Sequence, residues 1–249
     1  MYGTVVFRQP RLVFPESLFA RGIIMTGIKT KEKIPIPDYT KGEEIFNMVT
    51  HIVGGALGIA VTVLCIITAA MHGNSYGVVS AAIFGSTMII LYSMSSIYHG
   101  LSPLLKAKKV FRVLDHCTIF FLIAGTYTPI ALCSLRHYDI ALGWIYFGIV
   151  WGLAALGVVF TAIDLNRFKV LGMILYIAIG WCIIAVPGII YEELGSGGLT
   201  FLVLGGVSYT IGAVLYGVGK KMRYMHAVFH IFIVIGSLMH FFCILFYVL

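Results

Sequence analysis

The sequence predicts an all-α, polytopic membrane protein: a bundle of seven transmembrane helices with its N-terminus inside and its C-terminus outside. Three observations carry this expectation. Of 249 residues, 60% are hydrophobic and only 11% charged, whereas a soluble domain carries about 25% charged residues to cover its exterior. Seven apolar runs follow one another, each near the roughly 20 residues that a helix needs to cross a bilayer. The basic residues fall almost entirely on one side of those runs. A mean hydropathy of +0.99 excludes disorder, and 28 glycines and 7 prolines without a repeat exclude a collagen-like chain.

Residues 1–45 read as a basic cytoplasmic tail containing Lys29, Lys31, Lys33 and Lys41, ahead of a membrane domain over 46–249. Residues 1–24 lack the unbroken apolar stretch of a signal peptide, being interrupted by Arg8, Pro10, Arg11, Pro15 and Arg21, and they read as an extension ahead of Met25. The spans are expected at 46–70, 77–100, 111–133, 139–161, 169–190, 199–218 and 226–248. Their apolarity is continuous rather than alternating, which makes them helices and not barrel strands. Short connections make sequential helices antiparallel neighbours. Pro187 is expected to kink the fifth span and widen a cavity there. The glycines at 54–55, 205–206 and 212 fit close helix packing. Five cysteines, at 65, 117, 133, 182 and 243, sit in apolar runs without a C-x-x-C pair and read as core residues.

Orientation follows from charge. Seven Lys or Arg lie in the tail, four between spans two and three, two between spans four and five, and three between spans six and seven; Arg136 alone lies on the other side. By the positive-inside rule the tail is cytoplasmic. The net charge of +7 is then a topology signal with some attraction to anionic inner-leaflet lipid, not a nucleic-acid footprint.

An ionisable residue inside a span is costly enough to be a functional candidate by default. Applying the topology places Asn47 and His51 of span one, Ser95 and His99 of span two, Asp115 and His116 of span three, and His226 and His230 of span seven in the inner leaflet. Four helices thus deliver polar groups to one depth. His226 and His230 share one helix face, about 6 Å apart along the axis. Such a pair offers two nitrogens to one metal, and a third histidine from another helix completes an open tetrahedral set of the kind catalytic zinc uses; His99, taken alone, also reads as an interhelical hydrogen bonder. Asp115 is the candidate to hold a water or a ligand N–H, and Ser95 to hydrogen-bond water or a substrate carbonyl. His116 lies about 100° around the helix from Asp115, so the two do not aim equally at one point. His51 reads as a supporting partner, or as bonded to Asn47 or a carbonyl. His240, about 15 Å along the helix from His230, reads as a hydrogen-bonding core residue. His72 and His137 read as solvated in outer loops.

The segments EEIFNMVTH at 43–51, SSIYH at 95–99, LDHCTIFFLIAGTYTP at 114–129, and HAVFH with a later HF at 226–241 carry a resemblance. The chain resembles the hemolysin III family, the bacterial branch of the progestin and adiponectin receptor superfamily, from about residue 43 to the C-terminus. The resemblance implies seven helices with a cytoplasmic N-terminus in a bacterial plasma membrane. It also implies a Zn2+ held by His99, His226 and His230, with Asp115 reaching the metal through water and Ser95 nearby. Animal relatives are receptors thought to cleave ceramide-like lipid amides.

Three functions are compared. A zinc-dependent hydrolase of lipid amide or ester bonds fits the open histidine set and the inner-leaflet depth. A sensor or receptor would use the same metal as a structural clamp. A lytic or pore-forming protein fits the family name, but no charged ring or repeated amphipathic segment supports a pore. The expected partner is a membrane lipid or lipid-like substrate.

Overall fold

The computed structural model describes residues 36–219 and 222–249. The extension 1–24, the tail lysines up to Lys33, and Lys220 and Lys221 lie outside the described residues. Among the described residues all regular structure is helical: α1 (Lys41–Met71), α2 (Ser75–Gly100), α3 (Lys106–Pro129), a π-turn (Ile130–Leu135), α4 (Arg136–Tyr138), α5 (Ile140–Asp164), α6 (Lys169–Gly180), a 3-10 turn (Cys182–Ala185), α7 (Pro187–Val218) and α8 (Met225–Tyr247). Among the described residues, six helical segments are long and apolar enough to cross a membrane: α1, α2, α3 with its continuation to Tyr138, α5, α7 and α8.

Helix α1 begins at Lys41, ahead of its apolar run, because Thr40 caps it. The Thr40 amide donates to Glu43 Oε2 at 2.8 Å and the Glu43 amide to Thr40 Oγ1 at 3.3 Å, closing a capping box. The buried face of α1 then repeats every three or four residues: Asn47, His51, Gly54, Gly58, Val61, Cys65, Ala69. Its other face is apolar and exposed, with Ile52 and Val53 among those residues, which is the pattern of a helix whose solvent is lipid. Gly54 lets α2 approach, since a Cβ there would sit 2.7 Å from the Tyr92 ring.

Helix α3 is the central post. Phe120 and then every residue from Leu122 to Pro129 is buried. One apolar core joins α3 to α5, the 3-10 turn and α7 through Phe120, Tyr127, Val150, Ile183 and Leu202. A second joins α1, α2 and α8 through Val61, Phe84, Met88, Phe241 and Ile244.

The expected fifth span over 169–190 differs from the structure. It is not one helix: α6 stops at Gly180, the 3-10 turn intervenes, and Pro187 opens α7. Proline has no amide hydrogen and its ring clashes with the carbonyl four residues back, which disfavours it inside a helix and suits it to a first turn. Within the bilayer the freed backbone groups need partners. Tyr127 of α3 supplies them: its hydroxyl donates to the Gly180 carbonyl at 2.8 Å and accepts from the Ile183 amide at 3.3 Å. Pro187 therefore does more than kink a helix; it starts one. A second break falls at Gly195, whose φ of 63° and ψ of −175° suit glycine alone.

Candidate metal centre

Helices α1, α2 and α8 assemble the site. Glu43 pins two of them together: besides closing the α1 cap, its Oε1 accepts from the Tyr224 amide at 2.7 Å. Tyr224 holds a left-handed φ of 61° at the start of α8, so the helix that carries His226 and His230 is docked from its first turn.

His99, His226 and His230 come together, each offering one nitrogen, all within 4.8 Å of one another. The Nε2 atoms of His226 and His99 lie 3.2 Å apart, and those of His230 and His226 3.0 Å apart. Their remaining nitrogens show which ones carry protons. His99 Nδ1–H donates to Glu44 Oε2 at 2.6 Å. His230 Nδ1–H donates to the Asn47 carbonyl at 3.3 Å. In their neutral form both rings then turn an Nε2 lone pair toward His226. A single N–H on His226 can satisfy one of those lone pairs, not two, and a cation satisfies all three. A tetrahedral ion with bonds of about 2.0–2.1 Å places its nitrogens roughly 3.3 Å apart, near the 3.2 and 3.0 Å that separate His226 from His99 and from His230. Geometry and donor chemistry both fit Zn2+.

The other candidate site residues and the remaining histidines can all be placed. His51 stacks face to face on His230, with centroids 3.7 Å apart and planes 8° from parallel. It makes no bond to Asn47, and neither of its ring nitrogens has a partner among the described residues. Asn47 is buried, with its Nδ2 3.4 Å from His99 Nδ1. Asp115 and His116 line a cavity with His51, His226 and His230. The His116 Nδ1–H donates to the Arg112 carbonyl at 2.9 Å and lies 3.6 Å from Asp115 Oδ2. Ser95 is fully buried on α2, and its Oγ has no hydrogen-bond partner among the described residues. His240 is in the core, but its Nδ1 is unbonded among the described residues. The loop histidines are less idle than expected. His137 sits 3.0 Å from Glu193, and His72 Nδ1 is 2.9 Å from the Leu249 carbonyl. The five cysteines are free thiols.

The cavity measures about 920 Å³. Its lining includes Tyr39, Asp115, His51, His226 and His230 together with the apolar Ile183, Ile190, Leu199 and Leu202. The break between α6 and α7 borders it through Gly180, Trp181 and Pro187. Tyr39 stacks on His226 at 5.1 Å and 15°. Burial pushes its phenol well above the usual range, and Tyr216 and Tyr98 push the same way.

Sequence reasoning missed Glu44, Lys108 and Tyr39. Glu44 was counted with the tail and Lys108 with the topology charges. A signal for Glu44 was present: Glu44, Asn47 and His51 are spaced i, i+3, i+7, one helix face.

A multi-pass helical membrane protein with a three-histidine cluster, two of its members buried, beside an apolar cavity is the class these features define. The family profile described as Haemolysin-III related matches residues 39–241, and the chain belongs to that family. It is 40% identical over 207 residues to Hemolysin-3 of Bacillus cereus, covering 83% of this chain and 92% of that one. It is 39% identical over 209 residues to a Hemolysin-3 homolog of Bacillus subtilis (strain 168), covering 84% and 96%. A more distant likeness, 24% over 172 residues, links it to the human monocyte to macrophage differentiation factor, covering 67% of this chain and 69% of that one. These bacterial relatives accord with a place in the cell membrane.

Proposed function

We propose that the chain is a zinc-dependent hydrolase of lipid amide or ester bonds, working at the inner leaflet. The observation that carries this reading is the convergence of three imidazole nitrogens beside an apolar cavity of about 920 Å³. His99, His226 and His230 would hold the ion. Bound there, Zn2+ would supply Lewis acidity and a nucleophile available at neutral pH. The chain's own groups do the rest. The apolar wall admits an acyl chain and keeps bulk water out. Asp115, on the cavity wall, takes a proton from the attacking water on a carboxylate oxygen. It returns that proton to the leaving nitrogen or oxygen as the acyl bond breaks. Ser95 is assigned a hydrogen bond to water or to the substrate carbonyl. The test is Asp115→Asn: bound zinc is retained, and cleavage of a short-chain lipid amide in detergent falls by at least about a hundredfold. Full activity in Asp115→Asn would remove the aspartate from the mechanism.

The same reading takes the chain across the membrane seven times, with the tail inside. The bond between His137 and Glu193 puts residue 193 beside the α4 end of α3, away from the histidine cluster, while Lys169 and Met222 border the cavity with His226. That supports one broken crossing from 169 to about 194 and a second from 196 to 218.

A second reading has an observation of its own. Burial of His99 and His230 on α2 and α8 would let the metal clamp those helices structurally. In that case Asp115→Asn changes nothing and His99→Ala unfolds the protein. The printed names of the bacterial relatives motivate a vesicle dye-leakage assay, in which leakage independent of Asp115 would favour a lytic role.

A further inference from the structure

A buried cation and a carboxylate stand behind the histidine cluster. Lys108, on α3, is fully buried. Its ammonium donates to Glu44 Oε1 at 2.7 Å, to the Leu101 carbonyl at 2.8 Å and to the Tyr98 carbonyl at 3.1 Å, and it lies 5.0 Å from the Tyr98 ring centroid. Those carbonyls belong to the last turn of α2 and the residue after it, where a cation is favoured and orphan carbonyls need donors. His99 lies in that same turn. The other oxygen of Glu44 accepts the His99 Nδ1 proton at 2.6 Å. One carboxylate therefore spans a lysine and a histidine, from α1 to both α3 and α2.

We propose that Glu44 is a positioning residue of the metal centre, keeping the His99 proton on Nδ1 and so its Nε2 lone pair on the metal side, and that Lys108 serves the fold by balancing the charge of that carboxylate. The inference rests on the zinc reading above and goes beyond it. Neutral imidazole carries its proton on either nitrogen. A carboxylate at Nδ1 selects the tautomer, orients the ring and raises the basicity of Nε2. Lys108 makes this carboxylate tolerable where it sits, because a buried ion is stable only when paired and fully hydrogen-bonded. Three donations by one ammonium meet that condition. The pairing also explains why a lysine next to the cytoplasmic loop is drawn inward rather than left in water.

The experiment measures zinc affinity by chelator competition on the purified full chain, alongside thermal unfolding of the metal-free protein. The variants are Glu44→Gln, Glu44→Ala and Lys108→Met. Glu44→Gln keeps the size of the side chain but loses one of its two acceptor arms. Zinc affinity is expected to fall about tenfold in Glu44→Gln and between about tenfold and a hundredfold in Glu44→Ala. Lys108→Met is expected to lower the metal-free melting temperature while holding zinc as tightly as the wild type, because Glu44 still accepts from His99. Glu44 variants that hold zinc as tightly as the wild type would overturn the proposal, whatever their melting temperatures. Parallel loss of affinity in Lys108→Met and Glu44→Gln would overturn it too, since the pair would then act only as a strut. A wild type without stoichiometric zinc would overturn the zinc reading along with this one, and the loaded wild type distinguishes the two failures.

Discussion

Two hydrogen bonds decide what the three histidines can hold. With the His99 proton committed to Glu44 and the His230 proton to the Asn47 carbonyl, two lone pairs meet at His226. The histidines themselves were legible in the sequence, because a polar group inside an apolar span stands out and positive-inside counting assigns its depth. Glu44 and Lys108 were not, because charge counting gives every residue near a span end to the loop and cannot show which side chains turn inward. Close packing sets a second expectation. Gly54 faces the Tyr92 ring, and Tyr92 donates to or accepts from Ser237 at 2.7 Å. Gly54→Leu should overpack this contact and cost about 1–3 kcal/mol of stability, read as a lower melting temperature in detergent. An unchanged melting temperature would show that α1 and α2 have room to separate.

Helix α3 shows how a break in a neighbour is made tolerable. The α6 interruption leaves a carbonyl at Gly180 and an amide at Ile183, and one phenol serves both. Tyr127→Phe should lower stability by about 1–3 kcal/mol, the cost of leaving buried polar groups unbonded. A melting temperature equal to that of the wild type would mean that water or another group repairs the break. Hydropathy located the six segments that are long and apolar enough to cross a membrane, since burial in lipid depends on composition. It could not show that 169–190 is interrupted, because a window average ignores backbone hydrogen bonds; Pro187 was the one hint, and it was read as a kink. The π-turn after Pro129 is invisible to hydropathy for the same reason.

Across the whole bundle, exposed Ile, Val and Leu on α1, α5 and α7 face outward, while histidines, a carboxylate and an apolar cavity are gathered within. The orientation argued from charge has a direct check. A cysteine placed at His72, between α1 and α2, should react with a membrane-impermeant reagent on intact cells. One placed at Leu104, 93% exposed between α2 and α3, should react only after permeabilisation. The reverse pattern would invert the topology. Metal should also support the fold, because a ligand that binds only the native state raises its stability. Adding a strong chelator is therefore expected to lower the melting temperature of the wild type and to leave His226→Ala/His230→Ala unaffected.

The most direct test of the central claim is metal content by elemental mass spectrometry, on detergent-purified wild type and on the His226→Ala/His230→Ala variant. About one zinc per wild-type chain, lost in a variant that still elutes as a folded species, is the result expected of a three-histidine centre. Wild-type protein prepared without chelators and carrying no stoichiometric metal would contradict it, and the three imidazoles would then be hydrogen-bonding partners between helices.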